Sequence, residues 1–133
     1  MSEELDQTLS KWKASLETAW RSIPKQFRND HTVKRTLQCE LYQLLRGPGC
    51  RVVADYMPPR MVDRAIDLIC VNESNEIAYA VCIDPLVTLA AVKSLGSFES
   101  LNRIILTTSL LEKKVQESKF FLNPEITHVH LQF

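Results

Sequence analysis

The sequence predicts an α/β protein: a mixed sheet of about five strands flanked by helices, with an extra helix at the N-terminus. Three observations carry this reading. Two apolar, β-branched runs, 65–71 and 77–83, flank the polar segment Asn72-Glu73-Ser74-Asn75, which is the pattern of a β-hairpin. Two stretches before the hairpin place apolar residues at helical spacing. After it, helical and strand periodicities alternate, as they do in parallel crossovers.

Each element follows from its residues. Glu3 to Ile23 reads as a helix with a stripe of Leu5, Leu9, Trp12, Leu16, Ala19 and Ile23, adjoined by Trp20 and stopped by Pro24. Asn29 or Asp30 caps a second helix running to Arg46 and ended by Gly47-Pro48-Gly49. Its core face is Val33, Leu37, Leu41 and Leu44, and Glu40 lies on or beside that face. Arg51 to Met57 is the first strand, followed by the rigid Pro58-Pro59. The hairpin supplies the next two, apolar at nearly every position and therefore central, with both faces covered.

Asp84-Pro85 breaks the third strand, and a helix over Leu86 to Leu95 closes at Gly96. Asn102 to Thr108 is the fourth strand. Ser109-Leu110-Leu111-Glu112 reads as a capping box for a helix to about Phe121, and Ile126 to Phe133 alternates as the fifth strand. The order αα-βββ-α-β-α-β describes one domain over 1–133, with an N-terminal amphipathic helix at 1–24 and a core at 30–133.

The formal net charge is zero, so no global field draws the chain to nucleic acid or to a membrane. The charges are uneven, with Lys25, Arg28, His31, Lys34, Arg35 and Arg46 early, and Asp55, Asp63, Asp67, Glu73, Glu76 and Asp84 in the middle. The acidic, amphipathic start is neither a signal nor a transit peptide, and no apolar run approaches the roughly 20 residues that span a bilayer. A cytoplasmic location away from membranes is expected. Cys39, Cys50, Cys70 and Cys82 show no CxxC pair and no zinc spacing, so they are expected as reduced, mostly buried thiols. Cys70 and Cys82 fall on facing arms of the hairpin.

One residue does not fit a buried strand. Asp67 has an apolar neighbour on each side, and a carboxylate there needs a partner. It is bonded to backbone amides, or to an arginine such as Arg64 or Arg51, or it binds a cation. His128 and His130 alternate along the last strand and are expected to face solvent, with no third ligand for a metal. Trp12, Trp20, Tyr42 and Tyr79 sit at core spacings, with stacking on nucleic-acid bases as the other reading.

RAIDL entering a hairpin, and NRIILTTS leading into a capped helix, resemble the PD-(D/E)XK nuclease superfamily, the restriction-endonuclease-like fold, from roughly His31 to Phe133. The resemblance implies an acid on the second core strand, an acid-x-lysine triplet on the third, and often a glutamate on the preceding helix. The acids hold magnesium and the lysine assists the attacking water. Glu40 matches the helix acid and Asp67 the second-strand acid. The triplet falls on Ala80-Val81-Cys82 or, one pair along, on Cys82-Ile83-Asp84, and neither contains a lysine.

The resemblance thus implies a degenerate active site on a module that binds nucleic acid or a protein partner without cutting. No cofactor is expected, with magnesium or manganese only if Glu40, Asp67 and Asp84 converge. The alternatives are a metal-dependent nuclease with Lys93 as a relocated catalytic lysine, and a structural module that forms a homodimer through its first helix.

Overall fold

The computed structural model describes residues 2–133. Four helices and five strands follow in the order α1 (Ser2–Ser22), α2 (Asp30–Leu45), β1 (Arg51–Tyr56), β2 (Ile66–Val71), β3 (Ile77–Asp84), α3 (Leu89–Leu95), β4 (Arg103–Thr107), α4 (Glu112–Ser118) and β5 (Ile126–His130). The strands form one sheet in the order β1-β2-β3-β4-β5. β1, β2 and β3 are antiparallel neighbours, and β4 and β5 join them in parallel. The α/β class with an N-terminal helix is as the periodicities predicted.

Alternation along the strands divides the core. Leu68, Val81, Ile83, Ile104 and Leu106 lie on one face beneath α1 and α2; Ile69, Ala80, Cys82 and Ile105 lie on the other with Val87, Ala91 and Leu95. α1 lies across the first face. Leu9, Trp12, Leu16 and Ile23 are buried there, the Trp12 and Tyr79 rings meet edge to face at 5.1 Å, and Trp20 stacks on Phe133 at 4.3 Å. The stripe considered for a dimer is therefore enclosed in its own chain. Each such side chain contributes roughly 1.5–3 kcal/mol when buried.

Several local expectations change. Leu45 rather than Leu44 completes the buried face of α2, since Leu44 is 42% exposed. α3 starts later than Asp84-Pro85 suggested, because Thr88 caps it by accepting a hydrogen bond from the Ala91 N–H. The Ser109–Glu112 capping box does not form; Ser109 instead accepts from the Leu111 N–H. Cys50 and Cys70 form a disulfide, with Cα atoms 6.2 Å apart, whereas Cys82 belongs to the opposite face of the sheet. The antiparallel β1–β2 register brings Cys50 within reach of Cys70, which no sequence spacing reveals. Free thiols remain at Cys39, which is exposed, and Cys82, which is buried.

Candidate functional site

The end of the sheet where β2 begins and β3 finishes carries the principal polar cluster. Asp67, only 2% exposed, is the second residue of β2. Leu68 faces Val81, so Asp67 stands one step further along, beside the last residues of β3. Its Oδ2 accepts a hydrogen bond from the Ile83 N–H at 2.6 Å. Arg64, in the chain leading into β2, grips the same carboxylate with Nη1 at 3.2 Å from Oδ1 and Nη2 at 2.7 Å from Oδ2. The two partners expected as alternatives for Asp67, a backbone amide and an arginine, act together.

The guanidinium also reaches the final residue of β3. Arg64 Nη2 lies 3.0 Å from Asp84 Oδ2 and Nε lies 3.3 Å from it. Lys34 of α2 completes the group, its Nζ 3.4 Å from Asp67 Oδ1 and 3.6 Å from Asp84 Oδ1. Two carboxylates and two cations thus neutralise one another in a largely enclosed space. The Ser94 hydroxyl of α3 donates to the Arg64 carbonyl at 2.6 Å and fixes the segment that carries the guanidinium.

Burial shapes the protonation of these groups. Desolvation opposes the charge on Arg64, but the Asp67 hydrogen bonds and the nearby acids hold its pKa above the ordinary value. Desolvation raises Asp84, against the pull of Arg64 and Lys34. The Cys82 thiol is pushed up to about 12, chiefly by burial, and stays protonated at neutral pH. A protonated thiol is a poor ligand for a hard cation.

Glu40 is not part of the cluster. Its Oε2 accepts from the Ser15 hydroxyl of α1 at 2.9 Å. The reason is helical geometry: at about 100° per residue, Lys34, Gln38 and Leu41 share one face of α2, while Glu40 lies roughly 120° round from Lys34. The first face meets the sheet and the other meets α1. Lys93 is exposed on α3, between the buried pairs Ala91–Val92 and Ser94–Leu95, and makes no ion pair among the described residues. The lysine at the acids is Lys34, which lies beside the apolar face of its helix just as Glu40 does.

Gln38 was missed altogether. Asp55 adopts a left-handed φ of 55° and breaks the regular β1–β2 pairing between Ala54 and Tyr56. Buried Gln38 fills the gap, its Nε2 donating to the Asp67 carbonyl at 2.8 Å and to Asp55 Oδ1 at 2.9 Å. Among the described residues, no three His, Cys, Asp or Glu side chains converge in a way that would hold a metal ion. No helix is long and apolar enough to cross a membrane.

A groove opens near this end of the sheet, lined by Trp20, Lys25, Arg28, Asn29, Thr108 and Ser109 among others, with a volume of about 400 Å³. Arg28 lies over the Trp20 ring, 4.1 Å from its centroid. The chain matches no family model, no curated protein and no solved structure.

Proposed function

We propose that the chain is a nuclease-fold module that binds nucleic acid without cutting it. The observation that carries this reading is the Arg64 guanidinium, which takes up the oxygens of both Asp67 and Asp84. A nuclease of the PD-(D/E)XK type needs those oxygens free for magnesium, which sits about 2.0–2.1 Å from its ligands. Here they are neutralised from within the chain. The β2–β3 register favours Cys82-Ile83-Asp84 as the counterpart of the acid-x-lysine triplet, which puts a thiol and a carboxylate where an acid and a lysine are required. The helix position that resembles a family glutamate, Glu40, is turned toward α1.

Binding of nucleic acid is supported by the groove beside the cluster, where Lys25 and Arg28, against the single acid Asp30, accompany the hydroxyls of Thr108 and Ser109. Such a lining suits a phosphate backbone. The test is fluorescence anisotropy with single- and double-stranded oligonucleotides, together with plasmid cleavage in magnesium and manganese. The expected result is salt-sensitive binding, weakened in Lys25→Glu, and an intact plasmid. Absence of binding to either oligonucleotide overturns the nucleic-acid reading and favours a protein partner.

A second reading is favoured by one distance. Lys34 Nζ at 3.4 Å from Asp67 places a lysine beside the acids, so a metal-dependent nuclease with a relocated lysine would use Lys34 rather than Lys93. Metal-dependent cleavage that is lost in both Asp67→Ala and Lys34→Ala establishes that reading instead.

A further inference from the structure

The groove at the start of α2 contains a buried hydroxyl with no partner in the chain. Strand alternation puts Thr108 on the face of Leu106, beneath α1 and α2, and its N–H donates to the Asp84 carbonyl at 3.1 Å. Thr108 is 8% exposed, yet its hydroxyl makes no hydrogen bond among the described residues. No fully enclosed side-chain oxygen or nitrogen lacks a partner there, so this hydroxyl opens onto the groove that Thr108 lines. A polar group at that depth ordinarily bonds to something. Ser109 follows it in the lining; its hydroxyl accepts from the Leu111 N–H and keeps a proton to donate.

Two cations and the first turn of α2 share the groove. Arg28 is fixed before any ligand arrives. Its Nε donates to the Ile23 carbonyl at 2.8 Å, its Nη2 donates to the Arg21 carbonyl at 3.2 Å, and the guanidinium lies on the Trp20 ring. These contacts hold the group but bring no carboxylate, and neither Arg28 nor Lys25 forms an ion pair among the described residues. Nη1 of Arg28 is left over. At the head of α2, Asn29 accepts the Thr32 N–H at 2.9 Å, and the Asp30 and His31 N–H groups have no intrahelical partner. Asp30 is the single acid of the lining.

We propose that this groove holds one phosphoryl group in its doubly charged monoester form, as free phosphate or as the end of a nucleic-acid strand. The Thr108 and Ser109 hydroxyls, the Lys25 ammonium, Nη1 of Arg28 and the first N–H groups of α2 are its donors. A monoester presents three charged oxygens to such a set, more than a phosphate inside a strand can offer. The helix terminus favours an anion, and an arginine already fixed loses little freedom on binding. Trp20 is covered by Arg28 and stacked on Phe133, so the groove recognises the phosphate and not a base. The strand as source rests on the function proposed above; the phosphoryl site itself does not.

The test is heteronuclear NMR of the full chain titrated with inorganic phosphate, against sodium chloride of equal ionic strength. Anisotropy with single strands ending in a phosphate or a hydroxyl accompanies it. The expected result is saturable movement of the Asp30, His31, Thr108 and Ser109 amide signals with phosphate and not with chloride. Thr108→Val keeps the shape of the side chain and should weaken phosphate about tenfold, the loss of one hydrogen bond to a charged group. Lys25→Met, at an exposed side chain, should weaken it severalfold, and Lys93→Met on α3 should leave it unchanged. Tighter binding of the phosphate-ended strand identifies the strand end as the source, and no preference between strands identifies free phosphate. Phosphate binding with no affinity for either strand keeps the site and removes the nucleic-acid reading. Signals that move no further with phosphate than with chloride, or equal affinity in a folded Thr108→Val protein, overturn the proposal; strand binding would then leave the nucleic-acid reading standing. Should Thr108→Val fail to fold, unchanged affinity in Lys25→Met overturns it instead.

Discussion

Lys34 and Glu40 stand on one helix and serve opposite neighbours. Lys34 turns to the sheet and approaches Asp67 at 3.4 Å, while Glu40 turns to α1 and accepts from Ser15 at 2.9 Å. The consequence is a cluster of two acids and two cations in place of converging carboxylates. Its electrostatics make the first prediction. Replacing Arg64 by Met removes the principal counter-charge from two enclosed acids, and should cost about 3–5 kcal/mol of stability. The Arg64→Met/Asp67→Leu pair should cost clearly less than the sum of its single variants. Urea denaturation of all four proteins checks this, and additive losses would mean that the two side chains are not coupled.

The first helix makes the second. Leu16 is fully buried between α1 and the rest of the core, so Leu16→Ala should lose about 2–5 kcal/mol. Leu16→Glu should abolish cooperative unfolding. A Leu16→Glu protein that stays folded and merely changes size on a calibrated column would show the stripe to be an intermolecular contact.

Cysteine accessibility makes the third. Under non-reducing conditions the native protein should react with Ellman's reagent at Cys39 alone, since Cys82 is buried and its thiol is pushed up to about 12. Denaturation should add Cys82, and only reduction should release Cys50 and Cys70. Four reactive thiols in the unfolded but unreduced protein would contradict the β1–β2 bridge.

Acid stability makes the fourth. The Gln38 amide, and then Arg35, hold Asp55 below its usual value of 3.8. The unfolded chain therefore takes up this proton first, and the stabilisation is present above about pH 4 and lost as pH falls through the lower folded value. Asp55→Asn should reduce stability at neutral pH and flatten the decline below pH 4. Parallel pH profiles for the two proteins would remove Asp55 from the account.

Much of the fold was legible because burial imposes periodicity. The stripe on α1, the doubly apolar hairpin arms, the apolar run of β4 and the alternation of β5 each name their element, and Asp67 stood out because a carboxylate conflicts with its neighbours. The partners of Asp67 were only partly legible. Arg64 is close in sequence and was foreseen; Lys34 and Gln38 come from a helix whose rotation about its own axis depends on what packs on each side. Glu40 and Lys34 both border the apolar stripe, and periodicity alone does not say which border meets the sheet. His128 and His130 are half-buried against the Thr107 hydroxyl rather than solvent-facing, a contact that depends in the same way on which strand lies beside β5.

Arg64 and Lys34 stand between Asp67 and Asp84 and neutralise both carboxylates, which leaves no vacancy for a divalent cation. Titrating the native protein with Mn²⁺, and following the loss of the free-ion paramagnetic resonance signal, tests it most directly. The expected result is no saturable site at millimolar Mn²⁺ that Asp67→Asn removes. A single site that is present in the native protein and abolished by Asp67→Asn would contradict it.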